Sequence, residues 1–107
     1  MNAFADYRDF TGARPEKHFK STLFRNDTLL LGMNCLEPGQ VQVTHTHEGA
    51  TKFYFVVEGV GHFEVGDEAR DAGEGMVVWA APGVPHGVEN GGTARLVLLV
   101  GISPSPA

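Results

Sequence analysis

The sequence has little of what defines several large protein classes. It contains one cysteine, Cys35, so no disulfide can form within the chain, which fits a reducing compartment. Its longest apolar runs, 76–81 and 96–100, are far too short to cross a bilayer. No helical hydrophobic period extends beyond one turn. We therefore expect a soluble cytoplasmic protein with little helix and no membrane partner.

Basic residues are also scarce. Eight lysines and arginines stand against thirteen acidic residues, giving a net charge of −5, and the basic residues are spread from Arg8 to Arg95 without a cluster. Nucleic-acid binding needs a basic patch, so we expect no nucleic-acid partner. The first ten residues carry acidic side chains and no apolar run, unlike a signal peptide. A chain of 107 residues that is 42% hydrophobic predicts one folded domain.

Short strand-like segments separated by glycine, proline and asparagine turns fill most of the chain. The predicted strands are 17–24, 28–36, 40–47, 52–58, 61–65, 69–72, 76–80, 86–89 and 94–102. Eight or nine such strands are typical of a β-sandwich or barrel. We expect residues 1–16 to form an N-terminal arm with a short helical turn at 4–8, residues 17–102 a barrel domain, and residues 103–107 a flexible tail.

Two histidines, His45 and His47, lie one residue apart on the predicted strand 40–47. Residues i and i+2 of a strand project from the same face, so both imidazoles point into one space. Two neutral nitrogen donors of this kind make half of a transition-metal site. A third histidine, His86, lies far along the chain, in a segment rich in proline and glycine. If the fold brings His86 opposite the pair, the site has three ligands.

Two segments resemble the two conserved motifs of the cupin family. The first motif is a glycine, five residues, His-x-His, a glutamate and a closing glycine, and its matching positions here are Gly39, His45, His47 and Gly59. Lys52 occupies the position of the glutamate. The second motif is matched by Gly75, Gly83, His86 and Asn90, with Ala81 where the family has proline.

The resemblance spans residues 17–102 and implies the cupin jelly-roll β-barrel, also called the double-stranded β-helix. It implies one divalent transition metal held by His45, His47 and His86, and zinc, iron, manganese, nickel and copper all remain open. Small single-domain cupins are commonly homodimers, so the resemblance also implies a homodimer.

Lys52 leaves three alternatives open for the site. In the first, Lys52 points away, and three histidines plus water or substrate hold the metal. In the second, Lys52 points inward and anchors an anion or acts as a base, or the barrel holds no metal at all. In the third, Glu48 or Thr51 supplies an oxygen ligand. Strand alternation turns Lys52 outward, opposite the apolar phase that begins at Phe53, whereas the cupin register turns it inward.

Two functions follow from the resemblance and the residues. The first is a metal-dependent enzyme that acts on a small anionic molecule, with Lys52 and Tyr54 orienting the substrate. Three neutral histidines leave the ion its full double charge, which favours an anion. Oxygenase, isomerase, lyase and decarboxylase reactions occur on this fold, and no residue selects among them or identifies a catalytic group. The alternative is a non-catalytic small-ligand-binding module, with or without a metal, with Lys52 in the pocket.

Other conspicuous residues have structural interpretations. Trp79 lies within a continuous apolar run and is predicted to be in the core. Met33 and Cys35 share one phase of a predicted buried strand, which favours core packing. His18 and His62 are predicted to lie on the surface.

Overall fold

The computed structural model describes residues 2–107 and has an all-β fold. Its strands are β1 (Phe19–Arg25), β2 (Leu30–Leu36), β3 (Val41–His45), β4 (Thr51–Glu58), β5 (Val60–Val65), β6 (Glu68–Gly73), β7 (Val77–Ala80), β8 (His86–Glu89) and β9 (Leu96–Ser103). A 3-10 turn at Tyr7–Phe10 precedes them. No helix in the described part of the chain is long and apolar enough to span a membrane. The predicted all-β class is confirmed, and each strand begins and ends within two residues of the predicted positions.

The strands form two antiparallel sheets that pack face to face. One sheet has the order β1-β2-β9-β4-β7 and the other has the order β3-β8-β5-β6. Apolar side chains from both sheets fill the space between them: Leu36, Tyr54, Val56, Phe63, Ala72, Val88, Leu96, Leu98, Val100 and Ile102. The pairing of β3 with β8 places His45 directly opposite His86. This one register joins the two histidine segments.

The N-terminal arm covers the part of the outer face of the five-stranded sheet that β2 and β9 form. Met33 and Cys35 are buried there, as predicted, in a second apolar cluster with Val97. Tyr7 and Phe10 of the arm pack against that cluster. The arm therefore buries the outer face of β2, which explains why both faces of this strand can be apolar. Met1, the first residue of the predicted arm, lies outside the described residues.

Trp79 is not in the core, contrary to the prediction. It is 62% exposed, and Val77 on the same face of β7 is 58% exposed. Only the opposite face of this edge strand, which carries Ala80, is turned to the interior. Trp79 pairs across the sheet with Phe53, which is half-buried on the outer surface. A short apolar run predicts burial on both faces, but no element in the described part of the chain covers the outer face of β7.

The C-terminal residues contact the turn between β1 and β2. The Ser105 hydroxyl donates to the carbonyl of Asn26, and the Ser105 backbone N–H donates to the carbonyl of Asp27 at 3.2 Å. β9 itself extends to Ser103. The mobility of residues 103–107 stays a prediction.

Candidate metal centre

Three histidines meet at one end of the space between the sheets. His45 is the last residue of β3, His47 follows two residues later, and His86 is the first residue of β8. One ring nitrogen from each lies within 4.8 Å of the others. The ring centroid of His45 is 4.9 Å from that of His47 and 4.5 Å from that of His86. The fold therefore brings the distant His86 to the pair, as a three-ligand site requires.

The loop before His86 is tied to the segment that carries His47. The backbone N–H of Gly83 donates to the carbonyl of His47 at 3.1 Å. Gly83 has a φ of +77°, a conformation that residues with a Cβ rarely adopt. The glycine of the second motif thus permits the turn that holds the two histidine segments together.

Hydrogen bonds determine which ring nitrogen can bind a metal. Nδ1 of His45 lies 2.8 Å from the carbonyl oxygen of Val43, and Nδ1 of His86 lies 2.9 Å from that of Val84. A carbonyl oxygen only accepts, so each Nδ1 carries the proton and each Nε2 keeps a lone pair. The Nε2 atoms of His47 and His86 are buried and have no hydrogen-bond partner. Such unpaired buried atoms are rare, and a metal ion would satisfy both.

Burial keeps these rings in the neutral form that binds metals. It lowers the pKa of His86 to about 4. It also lowers the pKa of His47, and the nearby charge of Lys52 lowers it further. Neutral imidazole is the ligand form, so at neutral pH these two rings need not lose a proton to bind an ion.

Lys52 points inward, between the sheets. It is 3% exposed, and burial alternates along β4 so that Lys52, Tyr54 and Val56 face the interior. The interpretation of β4 from strand alternation, which turned Lys52 outward, is therefore wrong. The first alternative is wrong only in the direction it gave Lys52, since its three histidines do meet. The apolar phase of Phe53 and Phe55 lies on the outer surface instead, where it is half-buried. The register of the cupin resemblance predicted the correct face.

The Lys52 amine is held by a single weak contact and an aromatic ring. Its Nζ donates to Oε1 of Gln42 at 3.5 Å and lies 4.7 Å from the centroid of the Tyr54 ring. Burial lowers its pKa to about 8, and the charge of Lys20 adds to this effect. The Tyr54 hydroxyl also donates to Oε1 of Gln42, and burial raises the pKa of the phenol above its ordinary value of 10.0. Tyr54 therefore remains a protonated donor.

Neither proposed oxygen ligand joins the histidines. Glu48 is exposed and lies outside the group of metal-binding side chains found among residues 2–107, which contains His45, His47 and His86 alone. Thr51 adjoins Lys52 on β4 and therefore projects from the opposite face. Neither residue lies among the three histidines in this structure, and an oxygen ligand from Glu48 or Thr51 stays a prediction.

His45 and His47 border a cavity of about 760 Å³ between the sheets. Its lining includes Lys52, and also residues that the sequence did not single out, among them Gln42 and Lys20. His18, predicted to lie on the surface, is half-buried in this lining, and its Nε2 lies 3.5 Å from Nε2 of Gln42. The available signal was the polar phase of the first strand, in which His18 and Lys20 alternate with apolar Phe19. His62, in contrast, is exposed as predicted and pairs with Asp71.

Asn90, the last residue of the second motif, has a structural role. Its side-chain amide donates to the carbonyls of Leu36 at 2.8 Å and Ala94 at 3.0 Å. Its Oδ1 accepts from the backbone N–H of Gly92 at 3.0 Å. Asn90 therefore holds the turn between β8 and β9 and does not contribute to the site.

Solved structures of other proteins have a similar overall fold. TT1209 from Thermus thermophilus is 36% identical, with a TM-score of 0.93 over 96% of this chain and 98% of that chain. An uncharacterized conserved protein with a double-stranded β-helix domain from Klebsiella pneumoniae has the same TM-score at 18% identity, over 100% of this chain and 94% of that chain. A predicted oxalate decarboxylase from Thermotoga maritima is 26% identical, with a TM-score of 0.76 over 80% of this chain and 79% of that chain.

The sequence comparisons identify the family. No curated protein matches this sequence. Residues 32–102 match the family described as Cupin domain, and this match covers more than half of the chain. With the two facing antiparallel sheets and the histidines at one end of the barrel, the match shows that this chain belongs to the cupin family.

Proposed function

We propose that this protein binds one divalent transition-metal ion through His45, His47 and His86 and acts on a small anionic molecule. The observation that carries the proposal is the pair of buried, unpaired Nε2 atoms on His47 and His86. Imidazole nitrogen suits zinc, iron, manganese, nickel and copper, so the donors alone select none of them. When bound, such an ion would act as a Lewis acid that polarises an oxygen of the ligand.

Lys52 and Tyr54 are proposed to orient the ligand. Both side chains donate to the same oxygen of Gln42, which holds them side by side at the inner wall of the barrel. The Lys52 amine, when protonated, attracts an anion, and the Tyr54 phenol stays protonated because burial raises its pKa. The name of the Thermotoga relative, a predicted oxalate decarboxylase, supports a small acid as ligand. It does not select the reaction, because related cupin sites support many reactions.

Lys52 also favours a second candidate, a metal-free module that binds a small anion without turnover. An ammonium group near the three histidines repels a divalent cation. The pocket would then bind an anionic ligand through Lys52 directly. Metal content separates the two candidates.

The first experiment is elemental mass spectrometry of the untagged protein. We expect about one metal ion per chain in the wild type and a loss of that ion in His47→Ala, because His47 supplies one of the unpaired nitrogens. His62→Ala is the matched control, since His62 is exposed and pairs with Asp71. Full metal content in His47→Ala would remove that residue from the site. If the wild type takes up none of the five metals, the metal centre is refuted and the metal-free module is the remaining candidate.

A homodimer in the cytoplasm is part of the same proposal. The outer face of β7 exposes Val77 and Trp79 side by side, and such apolar side chains are typical of interfaces. The cytoplasmic location is supported by Cys35, which is a buried free thiol.

A further inference from the structure

Positive charge is concentrated at the cavity. The chain has three lysines, Lys17, Lys20 and Lys52, and all three line the cavity that contains His45 and His47. None of the thirteen acidic residues lines it. In a protein with a net charge of −5, this distribution gives the cavity lining lysines and no carboxylate. The cavity therefore attracts anions although the protein as a whole repels them.

The lysines have no counter-ion within the described residues. The ion pairs found there involve arginines or His62, never a lysine. Lys52 is 3% exposed, yet its amine, which has three hydrogens, makes one hydrogen bond of 3.5 Å, to Gln42. A buried cation with so few acceptors is costly. An anionic ligand would supply the missing acceptors and offset this cost.

Gln42, which contacts Lys52, offers a further donor. Its Oε1 already accepts from Tyr54 and Lys52, so the donor left for a ligand is its amide N–H₂, which has one contact of 3.5 Å, with Nε2 of His18. The cavity wall beside them is apolar, with Val100 and Ile102. Donors over an apolar wall match a group that only accepts hydrogen bonds, such as a carboxylate or a phosphoryl group.

We propose that Lys20 and Lys52 form a second anion-binding position and that the ligand is a small dianion. One oxyanion group would lie at the three-histidine centre and the other at the two lysines. This inference rests on the proposed metal centre. Lys20, on β1, is exposed at the cavity mouth, whereas Lys52, on β4, is buried inside, so the ligand would pass Lys20 as it enters.

The charges favour two anionic groups over one. A divalent ion on three neutral histidines keeps its double charge, and a single carboxylate bound there would leave both lysines uncompensated. The two amines are close enough that the charge of Lys20 lowers the pKa of Lys52. A second oxyanion between them would replace this repulsion by attraction.

The test is calorimetric titration of the zinc-loaded protein with malonate, succinate and glutarate. Each dianion is compared with the monoanion of equal carbon number: propionate, butyrate and valerate. We expect one dianion to bind at least about 10-fold more tightly than its matched monoanion, as a charge-assisted contact would provide. Carboxyethylphosphonate in place of succinate then distinguishes a second carboxylate from a phosphoryl group.

Substitutions of the two lysines test whether they cause the preference for dianions. Lys20→Gln is expected to weaken dianion binding by about 10-fold or more and to leave monoanion binding nearly unchanged. Lys52→Gln is expected to weaken dianion binding by at least as much and to reduce the preference for the dianion over its matched monoanion. Because Lys20 is exposed, its substitution tests the position without disturbing the core. Lys20→Arg keeps the positive charge and should retain the preference for dianions. Arg70→Gln removes the same charge from exposed β6, outside the cavity, and is the control.

Zinc content is measured on the same samples so that the two proposals fail separately. A protein that takes up neither zinc nor any of the other four metals refutes the metal centre. Full zinc content with equal affinity for dianion and monoanion at all three lengths refutes the second anion position alone. An equal loss in Arg70→Gln and Lys20→Gln would also overturn it, because the effect would then be one of overall charge.

Discussion

The charge of Lys52 is predicted to destabilise the metal-free protein. The side chain is 3% exposed, and its amine contacts no carboxylate among the described residues. Burial, with a contribution from Lys20, lowers its pKa from 10.5 to about 8. Folding therefore moves an amine from water to a site that disfavours its charged form. Methionine has a similar length and no charge, so Lys52→Met is expected to stabilise the fold.

The stability gained in Lys52→Met is expected to decrease as the pH rises. Below pH 8 the amine is charged in both the folded and the unfolded state, and the shift from 10.5 to about 8 costs the folded state about 3 kcal/mol. As pH rises through the folded pKa of about 8, the folded protein releases its proton before the unfolded chain does, and this cost declines. Above 10.5 the amine is neutral in both states and the cost disappears.

Urea denaturation of the metal-free proteins in chelator, followed by circular dichroism, measures this difference. At about pH 6.5 we expect the free energy of unfolding of Lys52→Met to exceed that of the wild type by about 2–3 kcal/mol. At about pH 10.5 we expect the difference to be close to zero. Lys20→Met is the control and should change stability by less than about 0.5 kcal/mol, because Lys20 is exposed. Equal stability at the lower pH, or the same gain at both, would refute the reasoning.

Three further substitutions test other parts of the structure. Lys52→Glu should tighten zinc binding by about 10-fold or more, measured by chelator competition, because it adds a carboxylate near neutral imidazoles; unchanged affinity would mean that position 52 does not face the ion. Asn90→Ala removes three hydrogen bonds from a buried turn and should cost about 2–4 kcal/mol in urea denaturation while zinc content is retained; a loss below about 1 kcal/mol would contradict this role. Trp79→Gln should shift a homodimer to monomer in sedimentation velocity, because Trp79 is 62% exposed on the proposed interface; a monomeric wild type would refute the dimer.

Much of the fold was predictable because its signals are local. Alternating side chains and turns of glycine, proline and asparagine act over a few residues, so the strands from β1 to β9 lie where the sequence predicted them. The His-x-His spacing likewise predicted that His45 and His47 converge, although β3 ends at His45. The meeting of His86 with the pair was a prediction from the cupin motifs, which carry information about pairing between distant strands.

The orientation of single strands was decided only by the tertiary structure. Alternation divides β4 into two faces but does not say which one is inside, and here the face with Lys52 lines the cavity while Phe53 lies on the outer surface. Trp79 is exposed because the arm packs over β2 and β9 and leaves the outer face of β7 uncovered. His18 lines the cavity because the chain leading into β1 lies beside Gln42 of the other sheet. The sequence determined the strands and the histidine spacing, since both depend on neighbouring residues. Which face of each strand is buried depends on the elements that pack against it, and these come from distant parts of the chain.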